Sequence, residues 1–405
     1  MKTERISFGS FEHETYIRYL PDDCTGVEAV IYCHGGAFRY GSCEYNREFL
    51  EELAQKSSMP VYSVGFRNIE DARMLYAMVA DITSSVNAIV RETRCPSVHL
   101  VGDSSGAYLA LVTLLNALNR EHLGSQAIFT VKSATLICGY LDFRKNDPIT
   151  CYLTQYPAFQ CLPNELRKVL EADYSDVNLP HMQLITGDMD PCREDMESLC
   201  ERITLTRPSA DLELIFAEST EEDAADHCFP IYKPNSAIGE RAVGEMASFI
   251  KSHAIRIVPF DEVSDAQLVN FYLFSSVRIG MQFNQPESLS MSCSLREYFK
   301  TRNDDIWCIT DSDEIIGVLG MRVLSTDTAE LHTFKLTRSY RSGFLDELLI
   351  DKAITRTREA GFRKLVINLD NRDIESLKVY TSSGFKYVGN QEYFPYAGDM
   401  MELDL

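Results

Sequence analysis

Ser104 stands in the run Val98-His99-Leu100-Val101-Gly102-Asp103-Ser104-Ser105-Gly106-Ala107-Tyr108, where an apolar stretch gives way to a helical pattern. A serine with glycine two residues to either side marks a strand-to-helix turn too crowded for larger neighbours, with the hydroxyl lifted above the sheet as a nucleophile. Such a hydroxyl needs a base to activate it and hydrogen-bond donors to hold the negative charge that acyl transfer develops. Seventy residues earlier, His34-Gly35-Gly36-Ala37-Phe38 ends an apolar run, Val27 to Cys33, so a tight turn there can aim backbone N–H groups at an oxyanion. The amides of Gly35, Gly36 and Ser105 are the candidate donors, and His34 suits a structural role holding this loop.

The two motifs together resemble the hormone-sensitive-lipase-like branch of the α/β-hydrolases, whose members carry H-G-G-G-F and G-D-S-A-G-G at this spacing. Here they stand as H-G-G-A-F and G-D-S-S-G-A, and the resemblance covers about residues 25 to 254. The exchange of the third glycine for alanine is mild, because the donors are main-chain amides. The resemblance implies an acid in a D-P-L-R-like segment, matched by Asp190-Pro191-Cys192-Arg193, with Asp188 as the alternative. It implies a base in an H-x-F segment after the last strand, matched by His227-Cys228-Phe229. Ser104, Asp190 and His227 then follow the chain order of this fold. Together they imply an esterase or amidase acting through an acyl-enzyme, with no cofactor and no metal.

These side chains need a framework that delivers strand ends to one edge. Apolar strands at Val27–Cys33, Val61–Val64, Ser97–Val101, Ala134–Cys138, Gln183–Thr186 and Leu212–Phe216 alternate with helical patterns around 49–53, 75–90, 105–118, 194–203 and 238–250. Such alternation specifies an α/β doubly wound, mostly parallel sheet covered by helices on both faces. Residues 145–180 break the rhythm with Pro148, Pro157 and Pro163, which suggests a cap-like insertion. Its aromatics Tyr152, Tyr156, Phe159 and Tyr174 either line an acyl pocket or pack the cap.

The pattern ends near His253, placing the first domain at 1–254 and a second at 255–405. The second opens with strands at Ile255–Pro259, Ile306–Thr310, Glu314–Val323 and Thr328–Leu336, which is an α+β beginning. After Thr337 the run Arg338-Ser339-Tyr340-Arg341-Ser342-Gly343 leads into an amphipathic helix, and a helix N-terminus after a strand is an anion-binding arrangement. This half resembles the GNAT N-acetyltransferases, with R-G-x-G-x-G/A and N-x-x-A-x-x-x-Y-x-x-x-G-F motifs. The resemblance implies acetyl-CoA held by Leu336, Arg341, Ser342, Gly343 and Asn371, a general acid at Tyr380 and a base at Glu330 or His332. Phe344 and Leu345 stand where the loop motif has glycines, and one loop residue is lost. A packing tyrosine is the other reading of Tyr380, and a degenerate binding or dimerisation module the other reading of the domain.

The formal charge of −21 opposes nucleic acid and anionic lipid as partners, since both require a basic face. A small-molecule or peptide substrate fits, and self-association into a homo-oligomer stays open. The first residues carry no apolar leader and no run reaches the ~18 residues of a membrane span, so a cytoplasmic location is expected. The 12 cysteines are scattered without a C-x-x-C pair, which suggests reduced thiols, and the 8 histidines lack the paired spacing of a zinc site.

Overall fold

The computed structural model describes residues 1–71, 75–119, 126–143, 148–156, 169–268, 270–271, 305–312, 314–341, 344–370, 374–393 and 396–405. The chain divides into two compact units, Met1–Ala254 and Ile255–Leu405.

In the first unit, strands β1 (Lys2–Ser7), β2 (Thr15–Leu20), β3 (Ala29–Cys33), β4 (Val61–Val64), β5 (Ser97–Asp103), β6 (Thr130–Ile137), β7 (His181–Gly187) and β8 (Leu212–Ala217) form one sheet in the order β1-β2-β4-β3-β5-β6-β7-β8. All pairs from β4 to β8 are parallel, whereas β2 runs antiparallel to both β1 and β4. The helices are α1 (Arg47–Ser57), α2 (Leu75–Thr93), α3 (Ser105–Asn119), α4 (Pro148–Leu153), α5 (Arg193–Thr206), α6 (Phe229–Tyr232) and α7 (Ala237–Ser252).

Successive strand residues face opposite sides, so a strand covered on both faces must be apolar throughout. In β3, Ile31 and Cys33 join the core beneath α2, α3 and α5, while Val30 and Tyr32 join the core beneath α1 and α7. That is why Ala29–Cys33 is an unbroken apolar run. Strands β1 and β2, absent from the sequence reading, carry mixed patterns: Lys2, Glu4 and Arg5 on an edge strand, and Arg18 within β2. Of the expected cap, α4 is a short helix, residues 157–168 with Phe159 lie outside the described residues, and Tyr174 is buried with its hydroxyl donating to the Val169 carbonyl (2.8 Å).

The second unit holds β9 (Ile255–Pro259), β10 (Asp305–Asp311), β11 (Glu314–Val323), β12 (Thr328–Leu336), β13 (Lys364–Asp370), β14 (Lys386–Tyr393) and β15 (Tyr396–Asp404), with helices α8 (Phe344–Glu359) and α9 (Ile374–Ser382). The sheet order is β14-β15-β13-β12-β11-β10-β9. It is antiparallel except for β12 and β13, which pair in parallel from Thr328 opposite Lys364 to Leu331 opposite Ile367. Both strands run on, to Leu336 and Asp370, without pairing to each other, so the sheet opens between them.

Candidate active site

Ser104 occupies the turn between β5 and α3 with φ 50°, in the left-handed region where a non-glycine residue costs about 1–3 kcal/mol. Its N–H donates to the Ile137 carbonyl of the neighbouring strand end (2.9 Å), which holds the turn against that cost. A Cβ at Gly102 would meet the Gly106 carbonyl oxygen at 2.4 Å, and one at Gly106 would meet the Cys33 carbonyl oxygen at 2.2 Å. Both glycines are therefore demanded by backbone approaching backbone.

His227, in the loop between β8 and α6, places Nε2 3.0 Å from Ser104 Oγ, and its Nδ1–H donates to Asp190 Oδ1 at 2.8 Å. Asp190 follows β7 and is buried, which by itself raises a carboxyl pKa. The hydrogen bonds from His227, the Cys192 amide (3.0 Å) and Thr186 Oγ1 (2.8 Å) outweigh that and hold it below the ordinary carboxylate range. An ionised Asp190 fixes the tautomer of His227 that leaves Nε2 free to take the serine proton. Asp188, the alternative acid, is exposed and instead accepts a hydrogen bond from Ser219.

The oxyanion loop requires a correction. The Gly35 amide donates to Asp103 Oδ1 (2.8 Å), so it is spent inside the protein and cannot serve an oxyanion. Asp103 is fully buried, which raises its pKa despite the Tyr32 hydroxyl and Gly35 amide that donate to it, and Asn46 Nδ2 in turn donates to Tyr32 (2.7 Å). Among the described residues no acceptor pairs with the amides of Gly36, Ala37 or Ser105. Ala37 takes φ 51°, and its amide, with no acceptor among the described residues, replaces that of Gly35 among the candidate donors. The clue lay in its position after the glycine pair. His34 stacks on Phe66 (ring centroids 4.2 Å) and pairs with the Gly35 carbonyl (2.7 Å), and burial lowers its pKa to about 4, so it stays neutral and holds the loop.

Behind the triad, the thiols of Cys138 and Cys228 lie against each other and between Asp103 and Asp190. Burial above all raises both thiol pKa values, helped at Cys228 by the contact with Cys138 and the charges of Asp103 and Asp190, and at Cys138 by the charge of Asp190. Sulfur atoms of these two residues lie within 4.8 Å of a His227 ring nitrogen, and Cys192 lies equally near Asp190 and His227. Both ring nitrogens of His227 are already engaged, so a metal held there would dismantle the relay. At the loop's outer side, Arg39 lies over the ring of Tyr152 (5.2 Å) and pairs with Glu70 (2.8 Å), and the Tyr152 and Tyr156 hydroxyls bond to each other.

In the second unit, Ser342, Gly343 and Asn371 lie outside the described residues, as does the His332 side chain. Leu336 is buried at the end of β12, and Arg341 comes five residues later, after a 3-10 turn over Arg338–Tyr340. Glu330 is bound by the Arg322 guanidinium across β11 and β12, with Nε 3.0 Å from Oε2, so its carboxylate is committed to an ion pair. Tyr380 is buried with its ring edge-on to Phe385 (5.5 Å) and Phe334 (6.3 Å).

A family model described as alpha/beta hydrolase fold matches residues 30–218. A probable alcohol acetyltransferase of Cyberlindnera fabianii is 34% identical over 90 residues, 22% of this chain and 24% of that protein. A kynurenine formamidase of Meyerozyma guilliermondii is 29% identical over 176 residues, 42% of this chain and 62% of that one. The chain thus spans less than two thirds of either relative. The hyperthermophilic esterase of Pyrobaculum calidifontis, 23% identical, superposes with a TM-score of 0.52 over 62% of this chain and 83% of its own. Residues 30–218 have the α/β-hydrolase fold, with its mostly parallel sheet.

Proposed function

We propose that the first unit is a serine hydrolase cleaving a small acyl ester or amide through an acyl-enzyme. One observation carries this reading: an unbroken relay from Asp190 through His227 to Ser104, at hydrogen-bonding distance at both joints. His227 Nε2 takes the Ser104 proton as Oγ attacks the acyl carbon, and the amides of Gly36, Ala37 and Ser105 receive the oxyanion. The protonated His227 then gives its proton to the departing alcohol or amine. Water, deprotonated by the same nitrogen, releases the acid and restores Ser104. Every proton moves through groups of this chain, so the step calls for no cofactor, and the negative net charge favours a small-molecule substrate over a polyanion. The likeness to a kynurenine formamidase supports including amides among the substrates.

The test is hydrolysis of p-nitrophenyl acetate and butyrate, and of the matching anilides, by wild type, Ser104→Ala and His227→Ala, with fluorophosphonate labelling alongside. Turnover that vanishes in both variants supports the reading. Turnover surviving in Ser104→Ala would overturn it, as would wild-type protein that neither turns over nor takes the label.

For the second unit we propose acetyl-CoA binding in the manner of a GNAT acetyltransferase. The observation favouring it is the opening between β12 and β13 beyond Leu331 and Ile367, beside the turn leading to α8. Arg341 with the amides of Ser342 and Gly343 would hold the pyrophosphate there, with Leu336 and Asn371 flanking it, and the bound cofactor would supply the acetyl group. Packed aromatic neighbours around Tyr380 and the ion pair at Glu330 support the alternative of a non-catalytic module. Heat on titrating acetyl-CoA into the full chain favours the cofactor site, and none at millimolar concentration leaves the module.

A further inference from the structure

Three side chains from three separate segments converge at the sheet edge opposite Ser104. His181 is the first residue of β7, Asp211 immediately precedes β8, and His253 follows the last turn of α7. Asp190 and Ser104 follow the C-terminal ends of their parallel strands, so a cluster at the start of β7 stands at the other edge. His181 Nδ1 lies 2.5 Å from Asp211 Oδ2, His253 Nε2 lies 4.0 Å from the same oxygen, and the two imidazoles stack with centroids 3.9 Å apart. One ligand atom from each residue lies within 4.8 Å of the others.

The protonation of His253 is set from behind. Its Nδ1 is 2.8 Å from the Phe249 carbonyl, which only accepts, so Nδ1 carries the hydrogen, with Ser252 Oγ also at 3.2 Å. Its Nε2 is left on the side of the cluster, 4.0 Å from Asp211 Oδ2 and beyond hydrogen-bonding distance. An imidazole anchored to a backbone carbonyl through its far nitrogen is the arrangement that prepares a histidine to bind a metal.

We infer that His181, Asp211 and His253 form a binding site for a divalent transition ion, Zn²⁺ in the first instance, with the remaining coordination left to water. Two imidazoles with one carboxylate suit Zn²⁺, Co²⁺ or Ni²⁺ rather than Mg²⁺ or Ca²⁺, which prefer oxygen. Ligand atoms about 2.0–2.2 Å from a tetrahedral ion sit roughly 3.3 Å apart. The observed 2.5 and 4.0 Å straddle that separation, and binding requires the two stacked rings to turn out of parallel until both nitrogens face the ion. Its place away from the nucleophile makes the ion a clamp on β7, the approach to β8 and the end of α7, not a participant in acyl transfer.

The test uses the full chain and Zn²⁺ alone, by titration calorimetry, with Co²⁺ absorption to report ligand type. The expected result is one site, weakened at least about tenfold by His253→Gln and by His181→Gln, with a cobalt spectrum lacking thiolate charge transfer. Metal-free circular dichroism of both variants should match wild type, which separates lost ligands from lost folding. No binding at millimolar Zn²⁺ would overturn the inference. So would affinity unchanged in both variants, or thiolate charge transfer persisting in them, since that would place the ion among the cysteines near His227.

Discussion

Asp190 would hold a proton at higher pH if burial alone decided, yet three donors keep it ionised, and the relay depends on that. Asp190→Asn preserves shape but removes the charge that stabilises imidazolium, so kcat on p-nitrophenyl butyrate should fall by about 10⁴ with KM little changed. His34 makes the opposite bargain. Burial lowers its pKa from 6.5 to about 4, so between those values the unfolded chain binds a proton that the folded one refuses. Stability falls as pH drops through that window, by up to about 1.4 kcal/mol per unit from this group. Unfolding by denaturant at pH 7 and pH 4.5 should therefore show a smaller acid loss in His34→Gln than in wild type. The candidate serine was legible because its turn tolerates so few residue types, and Asp190 and His227, which the fold brings beside it, were legible through family spacing. His181, Asp211 and His253 were not, because a strand start, a loop and a helix end separated by 30 and 42 residues bring them together and no local spacing records that.

At the scale of elements, the oxyanion loop and the elbow are a single construction. Gly106 passes against the carbonyls of Cys33 and His34, and Gly36 at φ 120° passes 2.0 Å, in virtual Cβ distance, from the Tyr40 carbonyl oxygen. Gly106→Ala forces two chain segments apart and should cost about 2–3 kcal/mol, read as a lower denaturation midpoint. Gly36→Ala displaces a donor amide, and kcat should fall about 10²–10³-fold even where the protein remains folded. Which amides face the oxyanion could not be read from H-G-G-A-F. That depends on Asp103 claiming the Gly35 N–H, a contact across 68 residues. The buried central strands announced themselves by unbroken apolar runs, while β1, exposed and charged, and β2, mostly buried but interrupted by Arg18, gave no such signal.

For the molecule as a whole, the relay, the oxyanion amides and the cores beneath them all lie within Met1–Ala254. A protein ending at residue 254 should therefore keep p-nitrophenyl ester hydrolysis within about threefold of the full chain, since every residue of the relay and of the candidate oxyanion donors lies in that unit. Loss of activity in a well-folded fragment would show that the hydrolase needs the second unit. Among the described residues no helix is long and apolar enough to cross a membrane. The sealed thiols behind the triad bear on how this unit moves. Cys33, Cys138 and Cys228 are buried with pKa values raised, while Cys151 is exposed. A neutral thiol without solvent access does not react, so slow alkylation mapped to Cys138 or Cys228 records the structure opening around the Ser104–His227–Asp190 relay.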